Sequence, residues 1–267
     1  MRVVFWCGNE PNQYALAHKL NKSIGLSGIV SETRPAPPAP SAFAVAGKIL
    51  ERIVLPSIGN AWRNMKQFYA RQYPAFPEVP VVDVSSINSD TAYTFTTNLQ
   101  PDLIIVSGTG LVRKRMLSLP VSIGILNLHT GLSPYVKGGP NCTNWCIAEG
   151  RPYLIGNTVM WIDEGIDSGN IFTTAFTPFT GHESLNAIHV NVMEHAHSLV
   201  LHAVQHIAKG NRQSVPQKQI AEGTTYYTRE WNFIKKIKLK RNLRLFRNCF
   251  KSNQCESKRK EVAVVTV

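Results

Sequence analysis

Three segments of this 267-residue sequence concentrate residues able to do chemistry: Ser107-Gly108-Thr109-Gly110-Leu111-Val112-Arg113, Asn127-Leu128-His129-Thr130-Gly131-Leu132-Ser133-Pro134, and Trp161-Ile162-Asp163-Glu164-Gly165-Ile166-Asp167-Ser168-Gly169. In the second, Asn127 and His129 are two apart, so on an extended chain both side chains project to the same side and can reach one substrate atom. Asparagine supplies a neutral amide donor. Imidazole accepts or gives a proton near neutral pH, and a carboxylate such as Asp167 can orient it. That set suits acyl transfer to an amine, where an oxyanion must be stabilised and the amine proton removed. No nucleophilic side chain is required if the amine attacks directly. The competing reading makes His129 the cap of a turn and Asp167 an ordinary loop carboxylate.

Positioning these residues calls for strands. Val3 to Cys7 reads as a buried strand, Tyr14 to Asn21 as a helix and Gly28 to Ser31 as a second strand, a βαβ opening. The runs Val79 to Val84, Asp102 to Gly108, Gly124 to Asn127 and Gly156 to Ile162 predict further strands, covered by helices on both faces. A long amphipathic helix is expected from Glu183 to Lys209, with Gly210 as its stop. Strands alternating with helices predict an α/β fold: a Rossmann-like, doubly wound, mostly parallel sheet with a short basic C-terminal appendage. Each of the three reactive segments then starts at the carboxyl end of a predicted strand, where open α/β sheets bind ligands. The expected organisation is one catalytic domain over residues 1–210 and a short element with a basic tail over 211–267. Within the first, residues 35–75 hold a Pro-rich loop and two helical candidates, one carrying Phe43, Ala46, Ile49, Leu50, Ile53 and Val54, the other Ile58, Trp62, Met65 and Tyr69.

Composition narrows the function classes. The chain is 43% hydrophobic and 17% charged, which excludes disorder over most of its length. No apolar run reaches the ~18 residues that would cross a bilayer. The N-terminal apolar run is too short for a signal-peptide core, so Met1 to Gly8 reads as a first strand and the expected location is the cytoplasm. Five scattered cysteines (Cys7, Cys142, Cys146, Cys249, Cys255) argue against a disulfide framework and fit a reducing compartment. The net charge of +12 is uneven: residues 229–267 hold 12 Lys and Arg against 3 Asp and Glu, which leaves 17 against 14 in the rest. The basic stretch from Lys235 to Arg247 interleaves cations with Ile237, Leu239, Leu243 and Phe246. Three readings stay open for it: a solvated helix, a nucleic-acid contact and a membrane-surface helix.

The motif NLHTGLSPYVKGGPN (Asn127 to Asn141) and the later TVMWIDEGIDSGNI (Thr158 to Ile171) resemble the hallmarks of the formyltransferases that use 10-formyltetrahydrofolate. That family includes glycinamide ribonucleotide, methionyl-tRNA and sugar-nucleotide enzymes. The resemblance is firm over residues 101–171, looser over 1–34 and 172–210, and absent across 35–75. It implies a catalytic triad at Asn127, His129 and Asp167. It places the folate co-substrate on Leu111, Val112 and Arg113 and on the loop Ile162, Asp163, Glu164 and Gly165, and the acceptor near Lys137, Gly138 and Asn141. The implied reaction moves a formyl group from 10-formyltetrahydrofolate to a primary amine, expected to be an amino sugar carried on a nucleotide. Methionyl-tRNA and then glycinamide ribonucleotide are the alternative acceptors, and a silent folate- or nucleotide-binding module is the non-enzymatic one; a homodimer is compatible with all of these. Two departures from the family pattern, Thr130 to Pro134 after the histidine and Lys137-Gly138 in the next turn, alter loop detail and leave the triad intact.

Other motifs carry less. Gly108-Thr109-Gly110 begins like a dinucleotide fingerprint, but Arg113 stands where its third glycine belongs. Lys137-Gly138-Gly139 lacks P-loop spacing. His202 and His206 have an i, i+4 spacing that could bind a metal, yet no HExxH signature accompanies them. No metal site is predicted.

Overall fold

A computed structural model describes residues 1–36, 39, 49, 51–139 and 141–267. The chain opens with β1 (Val3–Gly8), α1 (Pro11–Ile24) and β2 (Gly28–Glu32), followed by α2 (Pro56–Gln72), β3 (Val81–Val84), α3 (Asp90–Leu99) and β4 (Leu103–Ser107). Next come α4 (Lys114–Leu117), β5 (Gly124–His129), β6 (Val136–Gly138), α5 (Cys142–Ala148), β7 (Gly156–Trp161) and β8 (Ile171–Phe176). The long α6 (Leu185–Ala208), β9 (Thr224–Tyr226), α7 (Phe233–Lys251) and α8 (Gln254–Arg259) complete it. The helical candidate at 43–54 lies for the most part outside the described residues.

Seven strands form one Rossmann-like sheet in the order β3-β2-β1-β4-β5-β7-β8. The first five are parallel, as expected. β7 and β8 are antiparallel, and β8, a Thr-rich strand, has no counterpart in the sequence reading. β1 shows why such runs become central strands. Every residue is buried; Val3, Phe5 and Cys7 enter one core layer with α1 and α6, while Val4 and Trp6 enter the opposite layer with Val30, Ala92 and Met116. This is the period-2 alternation of a strand covered on both sides. β3 departs from that expectation: it is a short edge strand with only Val84 buried.

α2 lies across α1 and α6, with Met65 and Tyr69 packed against Ala15 and Met193, and the Tyr69 hydroxyl donates to Glu194 at 2.8 Å. A second core joins the expected appendage to the body. Trp145, Leu132 and Ile147 pack with Tyr226, Leu239, Phe246, Phe250 and Cys255, so α7 rests an apolar face on α5. Residues 211–267 therefore supply side chains to the same interior as residues 1–210. Arg259, buried, donates to the carbonyls of Tyr153, Ile155 and Thr177. The outer edge of β8 is covered twice: Ile171 bridges Val215, and Thr174 N–H donates to the Val265 carbonyl while its hydroxyl accepts from Val265 N–H.

The cysteine reading needs one correction. Cys249 and Cys255 form a disulfide, because Asn253 takes a left-handed conformation between α7 and α8 and folds the chain back until the two Cα atoms are 5.1 Å apart. Cys7, Cys142 and Cys146 are free and buried.

Candidate functional site

β5 extends to His129, so Asn127 and His129 do face the same side, and they meet Asp167 there. His129 Nδ1 is 3.3 Å from Asp167 Oδ2, and Asn127 Nδ2 donates to Asp167 Oδ1 at 3.3 Å. The Gly138 backbone N–H donates to the same carboxylate at 3.0 Å. His129 Nε2 faces the Val136 carbonyl at 3.3 Å, with Cys142 Sγ 3.6 Å away. Both ring nitrogens thus face oxygen acceptors, an arrangement in which the doubly protonated ring can donate on each side. Cys142 is no nucleophile: burial first, then the charges of Cys146 and Asp167, hold its thiol pKa well above the ordinary value.

Asp167 reaches this position by a route the sequence reading did not foresee. Because β7 is antiparallel, Trp161 pairs with Leu126 and Ile162 N–H donates to the Ile125 carbonyl, near the amino end of β5. The third reactive segment therefore starts at the opposite end of β5 from His129, and the loop must return before it presents Asp167. Two features hold it. Asp167 has a left-handed φ of 48°, a conformation that costs a non-glycine residue. The buried Gln217 donates through Nε2 to the carbonyls of Asp167 at 2.7 Å and Gly169 at 2.9 Å. Asp163 braces the same loop from within, accepting from Gly165 N–H at 3.0 Å and Ser168 Oγ at 2.6 Å.

A cavity of about 940 Å³ opens over this cluster. The catalytic candidates Asn127, His129 and Asp167 line it, as do Leu111, Val112, Ile162, Asp163, Gly165 and Gly138. Arg113, Glu164, Lys137 and Asn141 do not. Asn141 instead caps α5, accepting from Asn144 N–H at 3.1 Å. Asn88 clamps the segment beside the cavity: its side chain donates to the Leu111 carbonyl and accepts from Arg113 N–H. Between those two ties the backbone N–H and C=O of Val112 have no partner among the described residues. A flat heteroaromatic with donors and acceptors on its edge, such as a pterin, fits those free groups with the exposed Leu111 side chain as an apolar wall.

Further lining residues come from distant positions. The buried Glu32 accepts from Ile87 N–H, Gly110 N–H and Arg34 Nε, fixing the Gly-rich turn after β4. Tyr226, Tyr227 and Thr228 enter because β9 pairs with β6, and Tyr226 stacks on Trp145 with ring centroids 4.5 Å apart. Trp62 of α2 lines it as well. Gly131, beside the site, leaves no room for a side chain: a Cβ there would overlap His129 Nε2 and sit 2.8 Å from Cys142 Sγ. The helix histidines stay outside. His202 and His206 contact each other by ring edges, and among the described residues no cluster of metal-ligating side chains is present.

Residues 73–204 match the family described as formyl transferase. Over 130 residues, 48% of this chain and 40% of the relative, the sequence is 32% identical to methionyl-tRNA formyltransferase of Clostridium perfringens. The chain thus aligns with less than half the length of that relative. By structure it is similar to the N-formyltransferase of Helicobacter canadensis, solved with folinic acid and dTDP-3-aminofucose (TM-score 0.57, 13% identity, 92% of this chain and 81% of that one). It is also similar to phosphoribosylglycinamide formyltransferase of Anaplasma phagocytophilum (TM-score 0.56, 16% identity, 84% of this chain and 98% of that one). These two likenesses establish the fold. Residues 73–204, which hold the cavity-lining Asn127, His129 and Asp167, are thus a formyl transferase segment of this chain.

Proposed function

We propose that the protein transfers a formyl group from 10-formyltetrahydrofolate to a primary amine. The observation that carries this reading is the meeting of Asn127, His129 and Asp167 at the end of the cavity that the free Val112 backbone groups also border. The amine attacks the formyl carbon of the folate co-substrate, the bond from that carbon to the folate nitrogen breaks, and that nitrogen leaves carrying the proton released by the amine. Asn127 donates to the oxyanion as it forms, His129 takes or relays the proton leaving the amine, and Asp167 keeps the imidazole oriented. Leu111, Val112 and Arg113 and the Ile162 to Gly165 loop are assigned to the folate, of which Arg113 and Glu164 do not themselves line the cavity. Lys137, Gly138 and Asn141 are assigned to the acceptor loop, with Gly138 the member that reaches the cavity.

For the acceptor we favour an amino sugar on a nucleotide. The same cavity is lined by Tyr226, Tyr227, Thr228 and Trp62, giving aromatic and hydroxyl surfaces suited to a base and a sugar. Methionyl-tRNA is the second reading, favoured by the exposed cations of α7. One experiment separates them. The protein is incubated with the folate donor and, in turn, amino-sugar nucleotides, charged tRNA and glycinamide ribonucleotide, and the product mass is read. A formylated nucleotide sugar is expected; formylation of charged tRNA alone would replace the first reading with the second. No formylated product from any acceptor would remove both.

A further inference from the structure

α7 has two faces. Leu239, Asn242, Phe246 and Phe250 turn inward onto α5. Outward, at the alternating spacing of three and four that returns to one side of a helix, stand Ile234, Ile237, Arg241, Arg244 and Asn248, all exposed. Ile234 is 64% exposed and Leu245, on the flank, 52%. Residues 51–54 lie alongside, tied by Lys236 Nζ to Glu51 at 2.7 Å and by Lys240 Nζ to the Val54 carbonyl at 3.2 Å. They add Ile53, 72% exposed, and the exposed Val54. The other α7 lysines near this strip, Lys235 and Lys236, are paired with Glu149 and Glu51. Arg241, Arg244, Arg247 and Lys251 have no carboxylate partner among the described residues.

We propose that this outward face of α7, with Ile53 and Val54, docks on an anionic lipid bilayer. The complementarity is specific in kind: cations without acid partners would meet phosphate headgroups, while isoleucines on the same side enter the acyl boundary. A helix of 19 residues, about 28 Å long, would lie in the plane of the interface. Among the described residues none of the helices is long and apolar enough to cross a membrane. Nucleic acid would use the cations but leaves the isoleucines without a role. A second copy of the chain would bring arginines against arginines. The proposal is independent of the formyl acceptor and adds a surface to the enzyme.

The test is co-sedimentation of the full chain with phosphatidylcholine vesicles made with and without phosphatidylglycerol. Binding to the anionic vesicles alone is expected. Arg241→Gln with Arg244→Gln should weaken it roughly fivefold per cation, and Ile234→Asp with Ile237→Asp should weaken it by roughly tenfold or more. Ile234→Ser with Ile237→Ser repeats the second arm without added charge, and all variants should melt like the parent. Absence of binding to anionic vesicles overturns the proposal. So does binding that ignores the isoleucine changes, or preferential retention of tRNA with the same indifference, which would assign the face to nucleic acid. Concentration-dependent self-association abolished by Ile237→Asp would assign it to a second copy, and also overturns it.

Discussion

Between β3 and β4 the sheet runs parallel and is held by apolar side chains on both faces, whereas between β5 and β8 it turns antiparallel and buries Asn157, Thr158, Thr173 and Thr174. In the first half the alternation of large apolar residues supplies most of the cover, with the buried Glu32 at the end of β2 a polar exception that holds Ile87 and Gly110. The second needs partners for its polar groups. Asn157 donates to Thr177 Oγ1 and the Val192 carbonyl, Thr158 Oγ1 donates to the Gly131 carbonyl, and Arg259 reaches in from α8 to three carbonyls. His129 ends the last parallel strand, and Asp167 arrives from the polar half. The difference teaches that the scaffold on one side of the site is generic, while the geometry on the other depends on hydrogen bonds made across long stretches of chain.

The largest expected effect falls on the seam itself. His129→Ala should lower turnover by roughly 10² to 10⁴ and Asn127→Ala by roughly 10² to 10³, with folate binding nearly unchanged. Steady-state kinetics and donor binding with the true acceptor check this; near parental rates in both variants would remove the triad assignment.

The two halves should then respond differently to substitutions that preserve volume. Arg259→Met strips three buried carbonyls of their donor and should cost about 3 kcal/mol or more. Leu103→Met, in the apolar half, should cost under about 1.5 kcal/mol. Urea unfolding of both variants checks the contrast, and equal losses would show that the halves are held alike.

A smaller effect sharpens the role of the polar half in catalysis. Gln217→Glu replaces a donor facing two carbonyls with an acceptor, which should loosen Asp167 and reduce kcat roughly ten- to a hundredfold while the donor KM changes little. Gln217→Asn, which keeps the amide donor on a shorter stem, should restore part of the loss. A fall in Tm with no change in kcat would confine Gln217 to stability.

How much of this was legible in the sequence follows the same division. β1 and β4 are continuous apolar runs and announce themselves, and the Asn127–His129 spacing gives two catalytic candidates as soon as β5 is extended. Asp167 was also legible, as a carboxylate in an acidic Gly-rich loop. What was hidden depends on distance along the chain. Gln217 lies 50 residues from the carbonyl it holds, and Glu32 lies 78 from Gly110. β8 reads IFTTAF, whose threonines break both the apolar run and the alternation. The disulfide depended on a left-handed Asn253, which spacing alone does not show.

A separate effect concerns acid. Burial pulls the His189 pKa down to about 4, and burial with the Lys19 charge pulls His197 down to about 3. Both imidazoles titrate near 6.5 once the chain unfolds, so below that value the unfolded state binds more protons. Stability is full above pH 6.5 and declines as the pH falls toward 4, by up to about 1.4 kcal/mol per pH unit for each imidazole. Thermal melts across this range check the slope, and His197→Gln should flatten it without altering the contrast between the halves.

The double cover on β8 has a consequence for synthesis. Its outer edge is closed by Val215 and by Val265, and the second contact spans 91 residues from Thr174. At about 5 to 20 residues per second, the ribosome leaves that edge without its second cover for roughly 5 to 20 s after the strand is made. During that interval β8 presents unpaired backbone to any other strand nearby. Slow translation or a block just downstream of residue 260 should therefore raise the insoluble fraction of newly made chain, even though Asn127, His129 and Asp167 have already been made.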